Sequence, residues 1–176
     1  MASMPTRARQ RVPASERRDA LVAAVVHEFA QGGLHGTPVD RIARRVGVAQ
    51  PYVFSLFCSK KELFLAAFKR NVELVAATFT EAAAAFEPDR ADTNEDVLRA
   101  MRAAYVELLH SHRDYLMVQH HSYAACDDPE IRDRTRALYA RLVAHVVRLA
   151  HDPHNGTGNL RRPRSESTSS SATACG

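Results

Sequence analysis

Residues 37–63 read TPVDRIARRVGVAQPYVFSLFCSKKEL, and this segment restricts the possible folds more than any other part of the chain. Thr37 is predicted to cap a short helix, with Pro38 at its first position. Gly47 follows directly and supplies the positive φ that a tight turn needs. A second short helix begins near Gln50. Ser59, in the sequence Ser-Lys-Lys-Glu, then predicts the capped start of a third helix.

Two short helices joined by a tight turn are typical of a helix-turn-helix DNA reader. The apolar residues of both helices recur on one face, which predicts that the other face meets solvent or DNA. The outward candidates for DNA contact are Arg41, Arg44 and Arg45, followed by Gln50, Pro51, Tyr52, Phe54 and Ser55. Gln50 is the candidate base reader, because a carboxamide presents a donor and an acceptor to an adenine edge. The alternative is that Gln50 is a solvated first-turn residue.

Over roughly residues 17–70 the chain resembles the tetracycline-repressor (TetR) family of bacterial regulators. The matching positions are Thr37, Ile42, Ala43, Gly47, Val48, Phe57, Ser59, Lys60 and Leu63. The resemblance implies that Lys60 grips a DNA phosphate and that Thr37 can contact another. It also implies a dimeric repressor that binds a palindromic operator and is released by a small molecule held in its helical body.

Three positions depart from the family pattern. Ala49 stands where serine often caps the recognition helix, so this helix is expected to lack a side-chain cap. Phe54 replaces a frequent tyrosine whose hydroxyl touches a phosphate, and Cys58 replaces a common proline or glycine. The DNA contacts that family members make at these positions therefore cannot be assumed for this chain.

Positive charge is concentrated in the half of the chain that carries this motif. Residues 1–70 have a net charge of +7, and residues 71–176 have a net charge of −3. This asymmetry favours a polyanionic partner. The arginines of the N-terminal segment are predicted either to follow the DNA backbone or to act only as a solubilising arm; they are Arg7, Arg9, Arg11, Arg17 and Arg18.

The helical periodicity predicts an all-α chain of about seven helices. The first runs roughly over 15–31 and ends at the Gly32-Gly33 pair, and a long helix runs from Ser59 to about Phe86. A fifth helix opens at Thr93, a sixth spans 114–125, and Asp128 caps a seventh with Pro129 at its first position. The predicted units are a basic arm (1–14), a three-helix DNA-binding domain (15–60), a ligand-binding and dimerisation body (61–150), and a disordered polar tail (151–176).

Bulky, adaptable or polar side chains on the body helices are the ligand-pocket candidates, although each also fits an ordinary core position. They are Met101, Tyr105, Met117, His121, Tyr123 and Cys126. A metal-sensing alternative rests on His110, His112, His120 and His121, with Cys126 nearby. No two of these histidines are four residues apart, so no metal site is predicted. No enzymatic motif and no cofactor-binding motif are found.

The remaining sequence features concern the cellular location of the protein and the last part of the chain. No apolar run reaches the roughly 20 residues that a membrane span needs, and three scattered cysteines argue against a disulfide framework, so a cytoplasmic protein is expected. After about Ala150 the helical pattern stops, whereas the family resemblance implies two more helices that pair across a dimer. The hypotheses are a ligand-responsive dimeric repressor, a truncated DNA-binding protein without normal induction, and a helical ligand- or metal-binding module with a vestigial reader.

Overall fold

The computed structural model describes residues 13–85 and 94–152, which form seven α-helices. In chain order these are α1 (Ala14–Gly36), α2 (Val39–Val46), α3 (Gln50–Leu56), α4 (Lys60–Ala84), α5 (Asn94–Ser111), α6 (Arg113–Ala124) and α7 (Pro129–His151). The prediction of an all-α chain with seven helices is confirmed. The predicted basic arm and polar tail lie almost wholly outside the described residues. No helix in the described part combines the length and apolarity that a membrane crossing requires.

The N-terminal unit is a bundle of α1, α2, α3 and the first turns of α4. Phe29 of α1 meets Phe64 of α4 edge to face, with 5.2 Å between ring centroids. Val53 and Phe57 are buried beneath α3, as their spacing predicts. Aromatic and aliphatic burial of this kind contributes about 1.5–3 kcal/mol per large side chain. The bundle therefore holds α3 rigidly against its neighbours.

The Gly32-Gly33 pair interrupts α1 where the sequence predicts the end of the helix. Gly33 has a non-helical backbone (φ 59°, ψ −164°), and a short helical segment follows this kink as far as Gly36. A Cβ at Gly33 would lie 2.7 Å from Nδ1 of His121 in α6. Glycine is needed here both for the positive φ and for the close approach of α6.

The starts of α4 and α7 follow the predicted capping. Ser59 Oγ accepts a hydrogen bond from the Glu62 N–H at 3.0 Å, while the Glu62 carboxylate accepts from the Cys58 N–H at 2.8 Å. Asp128 Oδ1 accepts hydrogen bonds from the two backbone N–H groups that open α7, at 2.9 and 3.2 Å. These bonds satisfy donors that a helix N-terminus otherwise leaves unpaired.

Lys61 joins the start of α4 to the start of α7. Its Nζ lies 3.0 Å from Asp128 Oδ2 and 2.8 Å from Glu130 Oε2. Hydrogen bonds to Glu130 and Asp128 raise the pKa of Lys61, and the bond from Lys61 lowers the pKa of Asp128. The N-terminal bundle and the body are thus tied together at the first turn of α4.

The body is built from the rest of α4 together with α5, α6 and α7. The main core continues from the N-terminal bundle along α4 to Val118 of α6 and Ile131 of α7. A second, smaller core lies at the far end of α4 and includes Met101 and Leu149. Because α6 packs on α1 and α4 runs through both units, the body and the N-terminal bundle share one continuous core.

Candidate nucleic-acid interface

The turn between α2 and α3 has the geometry expected from its sequence. Gly47 has φ 69° and ψ 31°, a left-handed conformation that residues with a Cβ adopt only at a cost. The N–H of Val48 donates to the carbonyl of Ala43 at 3.0 Å, which closes the end of α2. Ala49 gives α3 no side-chain cap, as predicted. This turn sets the angle at which α3 leaves α2.

One face of α3 is buried and the opposite face is open to solvent. Gln50, Pro51, Phe54 and Ser55 are exposed, and Tyr52 is half-buried. Ser55 Oγ donates to the Tyr52 carbonyl at 2.7 Å, so this hydroxyl proton is used within the helix. The predicted outward residues therefore share one accessible surface, with Gln50 at its N-terminal end.

Arg18 connects three helices, a role that the sequence analysis did not predict. Arg17 and Arg18 were assigned to the N-terminal arm, but both lie in α1. The Arg18 guanidinium donates to the carbonyl of Leu56, forms an ion pair with Glu62, and lies 3.9 Å from the ring centroid of Phe57. One arginine thus connects α1 with the end of α3 and the start of α4. Although burial raises the pKa of Glu62, the bonds from Arg18 and Cys58 lower it overall.

The predicted roles of Thr37 must be corrected. Its side chain is fully buried, and its hydroxyl donates to the Glu28 carbonyl of α1 at 3.1 Å instead of capping α2. The residue before α2 is Pro38, so Thr37 lies too far back to cap it. A buried hydroxyl that already donates to the backbone cannot reach a phosphate. Lys60 Nζ donates to the Thr37 carbonyl at 3.1 Å and has two further protons for an anion.

The three arginines of α2 differ in their surroundings. Arg44 is highly exposed and pairs with Asp40 one turn earlier at 2.7 Å, and Arg45 is exposed. Arg41 does not lie fully on the outer face as predicted, because its Nε is 2.8 Å from the carboxylate of Glu28. Glu28 is buried, so this ion pair stabilises the packing of α2 on α1. Arg44 and Arg45 are the cations of α2 that remain accessible to a phosphate backbone.

A cavity of about 210 Å³ lies in the body between α4, α5, α6 and α7. Its lining is apolar, aromatic or amide-bearing and contains no charged side chain: Asn71, Val72, Val75, Phe79, Tyr105, Gln119, Tyr139 and Leu142. Asn71 is buried on α4, and its Nδ2 donates to the Tyr115 carbonyl at 2.9 Å. Phe79 and Tyr105 face each other with 5.9 Å between ring centroids. Small ligand sites typically combine apolar walls with a few polar groups in this way.

Only one of the six predicted pocket residues, Tyr105, lines this cavity. Met101 belongs to the smaller core, and Met117 packs against the larger one, because both fill space between helices. His121 donates from Nε2 to the Ala30 carbonyl at 3.2 Å, so it contacts the kinked end of α1. Cys126 Sγ donates to the Ser122 carbonyl at 3.1 Å, beyond the end of α6. These four residues do not line this cavity.

Tyr123 is exposed but connects to the cavity through hydrogen bonds. Tyr105 donates to Gln119 Oε1 at 3.3 Å, Gln119 Nε2 donates to the Tyr123 hydroxyl at 3.3 Å, and Tyr123 donates to the Tyr139 hydroxyl at 2.6 Å. Burial and the bond with Tyr123 raise the pKa of Tyr139 well above its usual range. Tyr139 is therefore a protonated phenol whose hydroxyl also interacts with Gln119. Asn71, Gln119 and Tyr139 were not identified from the sequence.

The histidines considered for metal sensing do not form one cluster, although the ring centroids of His120 and His121 lie 6.2 Å apart. His121 contacts the α1 backbone, whereas His112 packs edge to face with Tyr115. In residues 13–85 and 94–152 no group of three or more histidine, cysteine or acidic side chains is arranged to hold a metal ion.

Comparison with known proteins links these features to a family. The profile of "Bacterial regulatory proteins, tetR family" matches residues 21–67, which cover most of α1, all of α2 and α3, and the start of α4. The chain is 31% identical over 123 residues to the HTH-type transcriptional activator FasR of Mycolicibacterium smegmatis, a match that covers 69% of this chain and 52% of FasR. The chain thus spans about half the length of this curated relative.

Solved structures show the same fold. The regulator SCO7518 from Streptomyces coelicolor A3(2) superposes with a TM-score of 0.63 at 25% identity, over 80% of this chain and 79% of that protein. A TetR family transcription regulator from Marinobacter aquaeolei VT8 gives a TM-score of 0.60 at 20% identity, over 78% and 70% of the two chains. The structural similarity therefore extends beyond the N-terminal bundle into the helical body.

Proposed function

Because this chain belongs to the TetR family of bacterial regulatory proteins, we propose that it binds double-stranded operator DNA through α3 and regulates transcription. The observation that carries this proposal is the open face of α3, where Gln50, Pro51, Phe54 and Ser55 are exposed while Val53 and the following Phe57 are buried. A short, rigid helix with an exposed face can enter the major groove.

The proposed contacts follow from chemistry and exposure. Gln50 reads an adenine edge with its carboxamide. Arg44, Arg45 and Lys60 contact phosphates and fix the position of α3 without reading sequence. Pro51 and Tyr52 lie beside the base edges or the backbone at the start of the helix.

We further propose that two copies bind a palindromic site. Paired readers must enter the groove about 34–36 Å apart, one turn of DNA. Repression by occupancy of a promoter is the proposed mode, since it requires DNA binding alone. FasR is named an activator, so a promoter-reporter assay with and without the protein is needed to separate the two modes. The proposed place of action is the cytoplasm.

The effector part of the proposal concerns the cavity between α4, α5, α6 and α7. A charged ligand would have no counter-charge among the lining residues, and burying an unpaired charge is costly. We therefore propose a small, uncharged, ring-containing effector with a polar group that hydrogen-bonds to the Tyr139 hydroxyl. A cavity of about 210 Å³ is small for a ligand site, which limits the effector to roughly one or two rings.

The geometry suggests how such an effector acts on DNA binding. The helix α4 contacts the cavity through Asn71 and Phe79 and begins in the DNA-binding bundle at Lys60. A ligand that favours one tilt of α4 shifts the population of reader positions, but only by its difference in affinity for the two states.

Thermal unfolding with matched neutral, anionic and cationic probes tests the effector proposal. Acetophenone, benzoate and benzylammonium have similar size and differ in charge, and we expect only acetophenone to raise the melting temperature. Tyr139→Phe should weaken its binding by about two- to tenfold, the range for one lost hydrogen bond. Tyr115→Phe is the control, because the Tyr115 side chain does not line this cavity. Stabilisation by benzoate, or equal binding by both variants, would contradict the proposed ligand class.

The DNA-binding proposal is tested by selecting duplexes from a random pool with the full chain. We expect a recurring site, and we expect the Gln50→Ala variant to lose preference at one base pair per half-site. A Gln50→Ala, Lys60→Ala double variant that binds this site like the wild type would contradict the proposed interface.

A further inference from the structure

Phe54 is an exposed aromatic residue on the accessible face of α3. The other phenylalanines of the N-terminal bundle are buried, whereas 43% of Phe54 is exposed. Among the described residues, no aromatic or cation-π pair includes Phe54. The exposed part of its ring is therefore available to a partner of α3.

The chemistry of a phenyl ring restricts what it can recognise in the major groove. The ring neither donates nor accepts a conventional hydrogen bond, and pressing it on a base nitrogen or oxygen would remove water from a polar group without replacing the bond. The one apolar group on the base edges of the major groove is the C5 methyl of thymine. On the proposed function that α3 enters the major groove, we propose that Phe54 packs against a pyrimidine C5 methyl and makes this chain a reader of that group.

The helix geometry places this methyl relative to the adenine that Gln50 reads. Gln50 and Phe54 are four residues apart, so they lie on the same side of α3 and about 6 Å apart along its axis. Successive base pairs are separated by about 3.4 Å. The thymine is therefore within about two base pairs of the adenine in each half-site.

The same reasoning applies to 5-methylcytosine, which carries its methyl at the same ring position. Cytosine without the methyl offers Phe54 no apolar group. Methylation of a cytosine that replaces this thymine therefore restores part of the lost binding.

The experiment uses the full chain and its selected duplex, with each thymine replaced in turn by deoxyuridine. We expect one thymine per half-site at which this replacement weakens binding about fourfold, which corresponds to about 0.8 kcal/mol for one buried carbon group. The Phe54→Ala variant should bind the thymine and deoxyuridine duplexes equally. Phe54→Tyr keeps the ring and should keep the difference. Val106→Ala truncates an exposed apolar residue of α5 and should also keep it.

A second measurement does not depend on any variant being folded. With cytosine at the sensitive position, 5-methylation should tighten wild-type binding about fourfold. The inference is overturned if the wild type binds thymine and deoxyuridine duplexes equally at every position, or if the difference persists in Phe54→Ala. In either case the proposal of selective DNA binding still stands. Failure to obtain any preferred duplex overturns the proposed function itself.

Discussion

Replacement of Arg41 by alanine separates a structural role from a DNA-binding role. Arg41 Nε lies 2.8 Å from the carboxylate of Glu28, whose side chain is 10% exposed. Breaking a fully buried pair typically costs about 3–5 kcal/mol, because a charge is left without a partner. Since the Arg41 side chain is 43% exposed, water reduces this cost, and we expect about 1–2 kcal/mol.

Chemical denaturation monitored by circular dichroism measures this cost. The double variant Arg41→Ala, Glu28→Gln removes the stranded charge and should recover at least half of the lost free energy of unfolding. DNA affinity as a function of salt provides the second readout. We expect Arg45→Ala to lower the slope of log affinity against log salt by about one, while Arg41→Ala leaves it nearly unchanged. An Arg41→Ala variant of unchanged stability and reduced slope would refute this assignment.

Three further substitutions or conditions test the fold. Gly33→Ala should destabilise the chain by at least about 1–3 kcal/mol, because its φ is positive and the new Cβ would meet His121; an unaltered melting temperature would show that the kink is dispensable. Ser59→Ala should cost about 1 kcal/mol through loss of the α4 cap, and Ser59→Asp should restore most of it in the same denaturation assay. Burial lowers the pKa of His145, so the folded state favours its neutral form. The contribution of His145 to the free energy of unfolding should be complete above about pH 6.5 and should decrease as the pH falls. In His145→Gln the loss of stability at low pH should be smaller.

Features fixed by neighbouring residues were predictable from the sequence. The left-handed turn at Gly47 and the caps at Ser59 and Asp128 depend on a few adjacent side chains, and the structure confirms each of them. The break of α1 at the Gly32-Gly33 pair also lies where the glycines predict it. The close approach of His121 to Gly33 was not predictable, because His121 is far away in sequence.

Contacts between distant segments explain the other errors. Nothing local to Arg18 indicates that it meets Phe57, and nothing local to Arg41 indicates that it meets Glu28. The cavity was missed because cavity-lining and core residues share the same helical periodicity. Asn71 could have indicated the cavity, since it is one of two polar residues, with Thr80, on the mostly apolar buried face of α4.

The most direct test of the central claim is the ratio of dissociation constants for the selected duplex and a scrambled duplex, measured by fluorescence anisotropy at one fixed salt concentration. If α3 reads bases, the wild type should prefer the selected duplex by about 10³-fold or more, and Gln50→Ala should reduce this ratio. A ratio near one would contradict the account, because it would show that the positive N-terminal half attracts DNA without reading its sequence.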